Sequence, residues 1–349
     1  LVYPGAVHTR FHHSLGAYHL MGNAVNELRS KGTIITEEEE IAVKAAILLH
    51  DIGHGPYSHA LEHVVVKGVH HEALSLQIMH EMNAAFDGQL TLAIQIFTGA
   101  YHKPFLHQLI SGQLDVDRMD YLSRDSFFCG VSEGVIGYDR ILKMLVVVDG
   151  QLMIEEKGIY SVEKFLVARR QMYWQVYLHK TVLSAEKMLV KILERARSLY
   201  TNSDAAMQTQ SALDYFLGTF NGSMDAFALQ QFCSLDDHDI MHAIKRWSTH
   251  PDKVLSLLCS RFLNRKMYKT TIQSEPFLPA TIAAKQKESL NAFNVDASEV
   301  DFVCFTGEAS NTLYQTKDER INILFKDGSI KDISLIDNAL IHQNLSAAV

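Results

Sequence analysis

Apolar side chains recur at intervals of three and four residues through most of this chain, and this helical period constrains the fold more than any other feature. Between Leu15 and Leu28 the apolar positions keep that spacing, and Gly32 follows a basic stretch, as at a helix C-terminus. Thr36 precedes four glutamates, and Glu39 at the third position gives the pattern of a capping box that opens a second helix. Further helices are predicted over Glu72–Met82, Leu90–Thr98, Asp115–Asp125, Val162–Tyr200 and Asp252–Leu263. The sequence therefore predicts a mostly α-helical protein.

The second helix carries an apolar face and ends abruptly. Its inward positions are predicted to be Ile41, Ala45, Leu48 and Leu49. Residues 50–56 (HDIGHGP) then combine two glycines with a proline, which stops the helix directly after a histidine and an aspartate.

Strands are predicted in only a few short segments. Residues 145–154 have the pattern of a β-hairpin around an Asp-Gly turn. The composition changes after about residue 290, where β-branched residues alternate or run together. The strands predicted there are Val300–Phe305, Arg320–Phe325 and Ser329–Ile333. We expect a core domain over residues 1–200, a helical extension over 201–289 and a small α+β unit over 290–349.

Composition excludes several classes of protein. Of the 349 residues, 47% are hydrophobic and 21% are charged, which is typical of a globular chain and not of a disordered one. No apolar run approaches the ~20 residues of a membrane helix, so no membrane association is expected. A net charge of -8 argues against nucleic acid as a partner. Four scattered cysteines predict reduced thiols and a cytoplasmic protein.

Histidines are concentrated near the N-terminus. Thirteen of the 18 lie in the first 107 residues. Neutral imidazole is the commonest metal ligand and an acid or base near neutral pH, so the clustering indicates chemistry in this segment. For most of the 13, a solvent-facing position is the better interpretation.

Residues 50–59 bring together imidazoles and a carboxylate around a helix end and a tight turn: His50, Asp51, His54 and His59. Two distant segments complete a plausible site. One is RFHHS at residues 10–14, and the other begins at Asp115, where Asp117, Tyr121 and Arg124 share a helical face. A mixture of imidazoles and carboxylates suits a borderline or hard divalent ion with open positions for water.

His13, His50, Asp51 and Asp117 resemble the H…HD…D ligand set of the HD-domain metal-dependent phosphohydrolases. The resemblance is closer to the deoxynucleoside triphosphate triphosphohydrolases of that family. It rests on Tyr3–Gly16, His50–His59, Asp115–Asp125 and Tyr177–Lys180, with matching segments over roughly residues 1–270. It implies an HD-domain helical bundle.

The resemblance also implies roles for individual residues. One divalent ion per subunit, whose identity the sequence leaves open among manganese, iron, magnesium, nickel and zinc, is bound by His13, His50, Asp51 and Asp117. The residues that surround the phosphates, one imidazole among them acting as general acid, are His54, His59, His71 and Glu72. Phosphate oxygens are held by Arg10, Arg118, Arg169 and Lys180. The sugar end of the site is formed by Tyr121, Asp125 and Tyr177.

Some positions depart from the family's pattern, which leaves the fine nucleotide specificity open. Glu62 stands where relatives carry an aspartate, and the other departures are His12, Tyr173 and Arg118.

A basic segment after residue 260 resembles the family's regulatory-nucleotide site. Arg265 and Lys269 are four residues apart, so on a helix they would share one face and could hold a polyphosphate. This predicts a homo-oligomer, dimer or tetramer, with nucleotide at a subunit junction. A solvated basic face is the equal alternative.

The predicted function is metal-dependent hydrolysis of deoxynucleoside triphosphates to a deoxynucleoside and inorganic triphosphate. One alternative is an HD phosphohydrolase acting on another nucleotide phosphate ester. The other is a non-catalytic regulatory module that binds nucleotide or nucleic acid.

Overall fold

The computed structural model describes residues 2–66, 68–201, 203–309 and 320–336. Helices dominate these residues, which confirms the predicted fold class. They are α1 (Arg10–Ser30), α2 (Glu37–Leu49), α3 (Glu62–Val65), α4 (His71–Ala85), α5 (Thr91–Phe97), α6 (Pro104–Gln108), α7 (Val116–Cys129), α8 (Tyr138–Met144), α9 (Ile159–Met172), α10 (Lys180–Leu199), α11 (Leu213–Gly218), α12 (Ala226–Cys233), α13 (Asp237–Trp247), α14 (Lys253–Leu263) and α15 (Pro279–Phe293). Within the described ranges no helix combines the length and the apolar content that a bilayer crossing demands.

The chain forms two compact units, each built from separated segments. The first unit consists mainly of His54–Leu74 and Leu178–Ala309, and the second of Tyr3–Gly53, Ser75–Tyr177 and the described residues 320–336. The domain boundaries at residues 200 and 289 stay predictions.

Each unit has its own apolar interior. In the second unit α1 packs against α2 and α7, and fully buried side chains such as Met21 and Met119 lie in its core. In the first unit α14 packs against α10 and α13. There the indole N–H of fully buried Trp247 donates to the backbone oxygen of Met207 at 3.0 Å, so the polar group of this large buried side chain has a hydrogen-bond partner.

The capping box predicted at Thr36 is present. Its hydroxyl accepts from the Glu39 backbone N–H at 3.1 Å, and the Glu39 carboxylate accepts from the Thr36 N–H at 2.9 Å. Glu39 is buried and also accepts from Tyr101 and Lys103, both at 2.7 Å. Burial alone would raise the pKa of Glu39, but the Lys103 and Tyr101 contacts outweigh it and lower that pKa. The acidic run therefore both opens α2 and anchors it.

The inward face predicted for α2 is wrong. The structure buries Ala42, Val43, Ala46 and Ile47, and it leaves Ile41 69% exposed. Nearly every position of α2 after its first turn is apolar, so helical spacing fits more than one face. Because α2 packs against both α1 and α5, contacts on two sides select the face, which the sequence of α2 alone does not specify.

The strands form a single small sheet in the second unit. They are β1 (Leu145–Val148), β2 (Gln151–Glu155), β3 (Asn322–Leu324) and β4 (Ile330–Asp332), in that spatial order. The predicted hairpin is confirmed, because β1 and β2 pair antiparallel around Asp149 and Gly150, both with positive φ. β2 pairs parallel to β3, and β3 pairs antiparallel to β4.

The strand predicted at Val300–Phe305 is wrong. Ala297–Phe302 forms a 3-10 helix instead. Asp296 and Glu299 make a reciprocal capping box at its start, so local side-chain capping overrides the β-branched composition of the segment.

One predicted helix is broken, and one helical face considered in the sequence analysis is absent. The single helix predicted over Val162–Tyr200 is broken: a π-helical turn follows α9, and the His179 side chain accepts from the Thr181 N–H at 3.2 Å, which caps α10. Helix α14 ends at Leu263, as predicted, and Arg265 after it has a positive φ of 55°. Arg265 and Lys269 therefore do not share a helical face.

Candidate functional site

Helix α1, the end of α2 and the start of α7 bring the four predicted metal ligands together in the second unit. Nε2 of His13 lies 3.0 Å from Oδ1 of Asp117, and Nε2 of His50 lies 3.3 Å from the same oxygen. The Asp51 carboxylate lies 3.8 Å from the His13 ring nitrogen and 3.4 Å from that of His50. One ligand atom from each of His13, His50 and Asp117 falls within 4.8 Å of the others. We call these four residues the HD cluster.

The hydrogen bonds of His50 fit a metal ligand. Its Nδ1 faces the backbone oxygen of Ile47 at 2.6 Å, so Nδ1 donates and Nε2 is the ring nitrogen that faces the Asp51 and Asp117 carboxylates. That Nε2 is buried and has no hydrogen-bond partner among the described residues. A buried imidazole nitrogen facing carboxylate oxygens is unfavourable unless a proton or a metal ion lies between them. The donor set therefore fits a divalent ion.

His13 is oriented from behind by a carboxylate. Its Nδ1 lies 2.7 Å from Oδ2 of Asp120, and Arg124 binds that carboxylate through two hydrogen bonds of 2.8 Å. A carboxylate behind a ligating imidazole fixes the ring and raises its basicity. The sequence analysis missed Asp120, although its position three residues after Asp117 places both on adjacent turns of α7.

Charges within the HD cluster shift two pKa values in opposite directions. Burial would lower the pKa of His13, but hydrogen bonds with Asp117 and Asp120 outweigh it and raise that pKa to about 10. Burial would raise the pKa of Asp117, but His13 and His50 lower it well below its ordinary value. Arg10 pairs with Asp51 and Arg124 with Asp120. The carboxylates thus favour positive charge on the facing imidazoles, and a divalent ion bound there would replace those protons.

Gly16 leaves no room for a methyl group beside Asp120. A Cβ there would lie 1.9 Å from Asp120 Oδ1 and 2.1 Å from Arg124, so we expect Gly16→Ala to displace both. We predict a loss of about 1–3 kcal/mol in stability and of about 10–100-fold in metal affinity, measured by urea unfolding and Mn²⁺ binding. Gly22→Ala on the same helix is the control, since its Cβ would meet only Lys44 at 3.8 Å. Equal behaviour of the two variants would contradict this role of Asp120.

A second cluster lies in the first unit and consists of His54, His59 and His71. The ring centroids of His54 and His71 are 4.0 Å apart and stacked, and His59 meets both edge-on at 4.6 and 5.2 Å. Positive φ angles at Tyr57 and Ser58 make the sharp turn between His54 and His59. We call these three residues the imidazole cluster.

Glu62 holds two members of the imidazole cluster. It accepts from the backbone N–H of His71 at 2.8 Å and lies 2.7 Å from Nδ1 of the same residue. Its other oxygen lies 3.2 Å from Nδ1 of His59. Burial would raise the pKa of Glu62, but these His71 and His59 contacts lower it to about 2. The sequence analysis treated Glu62 only as a departure from the family's pattern.

Glu72 does not join this cluster. It is exposed in the first turn of α4, and across the described residues it forms no ion pair with the three imidazoles.

Asp125 and Tyr177, predicted for the sugar end, contact each other in the second unit. The Tyr177 hydroxyl donates to Oδ2 of Asp125 at 2.6 Å, and Nε2 of His8 lies 2.7 Å from Oδ1. Tyr121 meets the Tyr177 ring edge-on at 6.4 Å. Burial, with Asp125 next to it, raises the pKa of Tyr177 far above its ordinary value, so the phenol stays protonated. The sequence analysis missed His8.

The four side chains predicted to bind phosphate differ in their partners and in their exposure. Arg10 pairs with Asp51, and Arg118 is held by Asp115 and the Gly112 backbone oxygen. Arg169 donates to Gln113 at 3.2 Å, while its Nε is buried without a hydrogen-bond partner in the described ranges. Lys180 is exposed at the start of α10 in the first unit.

Comparison with known proteins identifies the class to which this arrangement belongs. The HD domain pattern matches residues 10–125, and the HD associated region matches residues 136–215. An uncharacterized protein of Bacillus subtilis, YwfO, is 32% identical over 96% of this chain and 78% of its own length. The chain belongs to the HD-domain phosphohydrolase family.

Two further relatives make the likeness more specific. A crystal structure of a phosphohydrolase from Bacteroides thetaiotaomicron superposes with a TM-score of 0.88 at 49% identity, over 95% of this chain and 83% of that one. A Dictyostelium discoideum protein named deoxynucleoside triphosphate triphosphohydrolase SAMHD1 homolog is 32% identical over 58% of this chain and 43% of its own length.

Proposed function

We propose that this protein hydrolyses deoxynucleoside triphosphates to a deoxynucleoside and inorganic triphosphate. The observation that carries the proposal is the HD cluster, in which the buried Nε2 of His50 faces carboxylates without a hydrogen bond. The name of the Dictyostelium relative supports the substrate class. We assign metal ligation to His13, His50, Asp51 and Asp117, with one divalent ion per subunit and manganese as the first candidate.

A divalent ion bound by the HD cluster supplies Lewis acidity toward a phosphoryl oxygen and toward water. In this proposal water attacks the α-phosphorus in line with the leaving 5′-oxygen of the sugar. Arg10, Arg118, Arg169 and Lys180 are assigned to the phosphate oxygens. Arg169 has the clearest support, because a buried guanidinium N–H without a partner favours binding of an anion.

The leaving 5′-oxygen must receive a proton, and we assign the donation of that proton to the imidazole cluster. Among its members we favour His71 as general acid, because Glu62 binds both its backbone N–H and its Nδ1 and so fixes the ring. The role of Glu72 rests on the family resemblance alone. Asp125 is assigned to the 3′-hydroxyl, next to Tyr121 and Tyr177.

A panel of nucleotides assayed for free triphosphate with added Mn²⁺, Mg²⁺ or Fe²⁺ tests the function. We expect triphosphate and deoxynucleoside in equal amounts from deoxynucleoside triphosphates. Turnover of only nucleoside monophosphates or cyclic nucleotides would assign the site to another phosphate ester. Binding of nucleotide without turnover of any substrate would favour a regulatory module.

Preference for deoxyribose is expected to depend on the Tyr177 ring. We predict that the protein disfavours GTP against dGTP by about 1–3 kcal/mol, because the ring occupies the space of a 2′-hydroxyl. Tyr177→Phe keeps the ring and should keep the preference, although it loses the hydrogen bond to Asp125. Tyr177→Ala should lose the preference. Equal kcat/KM for dGTP and GTP in the unaltered protein would contradict the steric explanation.

A homo-oligomer, dimer or tetramer, with a regulatory nucleotide at a subunit junction remains a proposal. Arg265 and Lys269 are exposed after α14. We predict that a non-hydrolysable dNTP raises both the sedimentation coefficient and the rate, since a ligand that prefers the oligomer shifts the equilibrium toward it. The double variant Arg265→Ala/Lys269→Ala should respond to neither. An unchanged mass and rate in all conditions would support the alternative, in which Arg265 and Lys269 form only a solvated basic face.

A further inference from the structure

The imidazole cluster has the composition of a metal site in its own right. One nitrogen from each of His54, His59 and His71 lies within 4.8 Å of the other two. Three imidazoles without a carboxylate among them form a softer donor set than that of the HD cluster. We propose that His54, His59 and His71 bind a second divalent ion of the borderline class, such as Zn²⁺ or Co²⁺.

Hydrogen bonds outside the three rings support this assignment. The Nδ1 atoms of His59 and His71 lie within hydrogen-bonding distance of the Glu62 carboxylate, and Nδ1 of His54 lies 3.2 Å from the Ser58 hydroxyl. Each imidazole is thus held at Nδ1, the arrangement in which a ligating histidine presents Nε2 to the metal. A single carboxylate therefore orients two of the three rings.

Accessibility and spacing are compatible with ion entry. The His59 side chain is 70% exposed, and that of His71 is 23% exposed. Nitrogens bound to one tetrahedral Zn²⁺ ion lie about 3.4 Å apart, from Zn–N bonds of about 2.0–2.1 Å. The exposed His59 ring can move to close the remaining distance, and the open side leaves a fourth position for water.

The two clusters should differ in metal preference. Mg²⁺ favours oxygen ligands and dehydrates reluctantly, so it is a poor occupant of an all-nitrogen site. The HD cluster contains two carboxylates and accepts harder ions. We therefore expect excess Mg²⁺ to leave the imidazole cluster available to Zn²⁺ or Co²⁺.

Occupancy would have a consequence for turnover. Metal ligation requires deprotonated nitrogens, so an imidazole that binds Zn²⁺ cannot donate a proton. Zinc would therefore inhibit hydrolysis reversibly. This consequence rests on the proposed function, whereas the second cation site does not.

Cobalt binding to the metal-free full chain tests the site without any activity measurement. Titration by calorimetry, with the visible d–d absorption of Co²⁺ as a second readout, should give two ions per unaltered chain. Asp117→Ala should retain one, which belongs to the imidazole cluster. The double variant His59→Gln/His71→Gln should also retain one, and combining all three substitutions should leave none.

Two more variants separate specific ligation from general effects. Glu62→Gln should keep the stoichiometry and weaken the second site by about 10–100-fold. His80→Gln, an exposed histidine of the same α4 that carries His71, should bind like the parent. Near-ultraviolet circular dichroism identifies any variant that fails to fold. If the double variant fails to fold, His59→Gln alone, at an exposed position, replaces it. One ion per parent chain, lost in Asp117→Ala, would overturn the proposal, and so would two ions unaffected by the histidine substitutions.

Discussion

Asp117→Ala is expected to abolish metal binding at the HD cluster and hydrolysis together. The carboxylate is the shared partner of His13 and His50, so its removal takes away one ligand and the charge that favours a cation. Metal-ion catalysis contributes several kcal/mol of charge stabilisation, so we expect kcat to fall by at least about 10³-fold. Mn²⁺ affinity and the steady-state rate are to be measured on the same preparation.

Two controls make that result specific. Asp139→Ala removes an exposed carboxylate from the same unit and should change neither property. Asp117→Asn keeps the size of the side chain but not its charge, and it should also lose tight metal binding. If Asp117→Ala bound Mn²⁺ like the parent and kept full activity, the ligand assignment would be wrong.

His71→Gln is expected to lower kcat by about 10²–10⁴-fold, the usual contribution of a positioned general acid. Mn²⁺ binding at the HD cluster should remain, because His71 is not one of its ligands. His80→Gln, on the same helix, should keep the parent rate. The assay must be free of zinc, so that the second cation site does not affect the comparison.

A substrate whose leaving group needs no proton distinguishes proton donation by His71 from a structural effect of the substitution. A triphosphate ester of p-nitrophenol has a leaving oxygen that needs no proton, so the defect of His71→Gln should shrink strongly on that substrate. Glu62→Gln should lower kcat less, and the same ester should relieve its defect as well, since Glu62 acts by positioning His71. A His71→Gln defect of equal size on both substrates would contradict the assignment of His71 as general acid.

Local signals in the sequence predicted those parts of the fold that short-range chemistry determines. The capping box at Thr36 and the Asp149-Gly150 turn were both found where expected. The buried face of α2 was not, because its composition is apolar on several sides and contacts with α1 and α5 select among them. The break between α9 and α10 depends on a cap from the His179 side chain, which helical periodicity does not detect.

The HD cluster could be anticipated because its ligands lie in short motifs at a helix end and on helix faces. Asp51 and Asp117 each lie within 4 Å of the His13 and His50 rings, and metal occupancy of the cluster is a prediction to be measured. Residues that orient these imidazoles carry only weak signals, namely the spacing of Asp120 from Asp117 and the departure of Glu62 from the family's pattern. The contacts of Asp120 with His13 and of Glu62 with the imidazole cluster follow from the fold and not from these signals.

Hydrolysis of dGTP in H₂¹⁸O with Mn²⁺, followed by mass spectrometry of all products, tests the central claim most directly. Attack of water at the α-phosphorus predicts one ¹⁸O atom in the released triphosphate and none in deoxyguanosine, and neither product should form with Asp117→Ala. Formation of deoxynucleoside monophosphate with pyrophosphate, or of deoxynucleoside diphosphate with phosphate, would contradict the account.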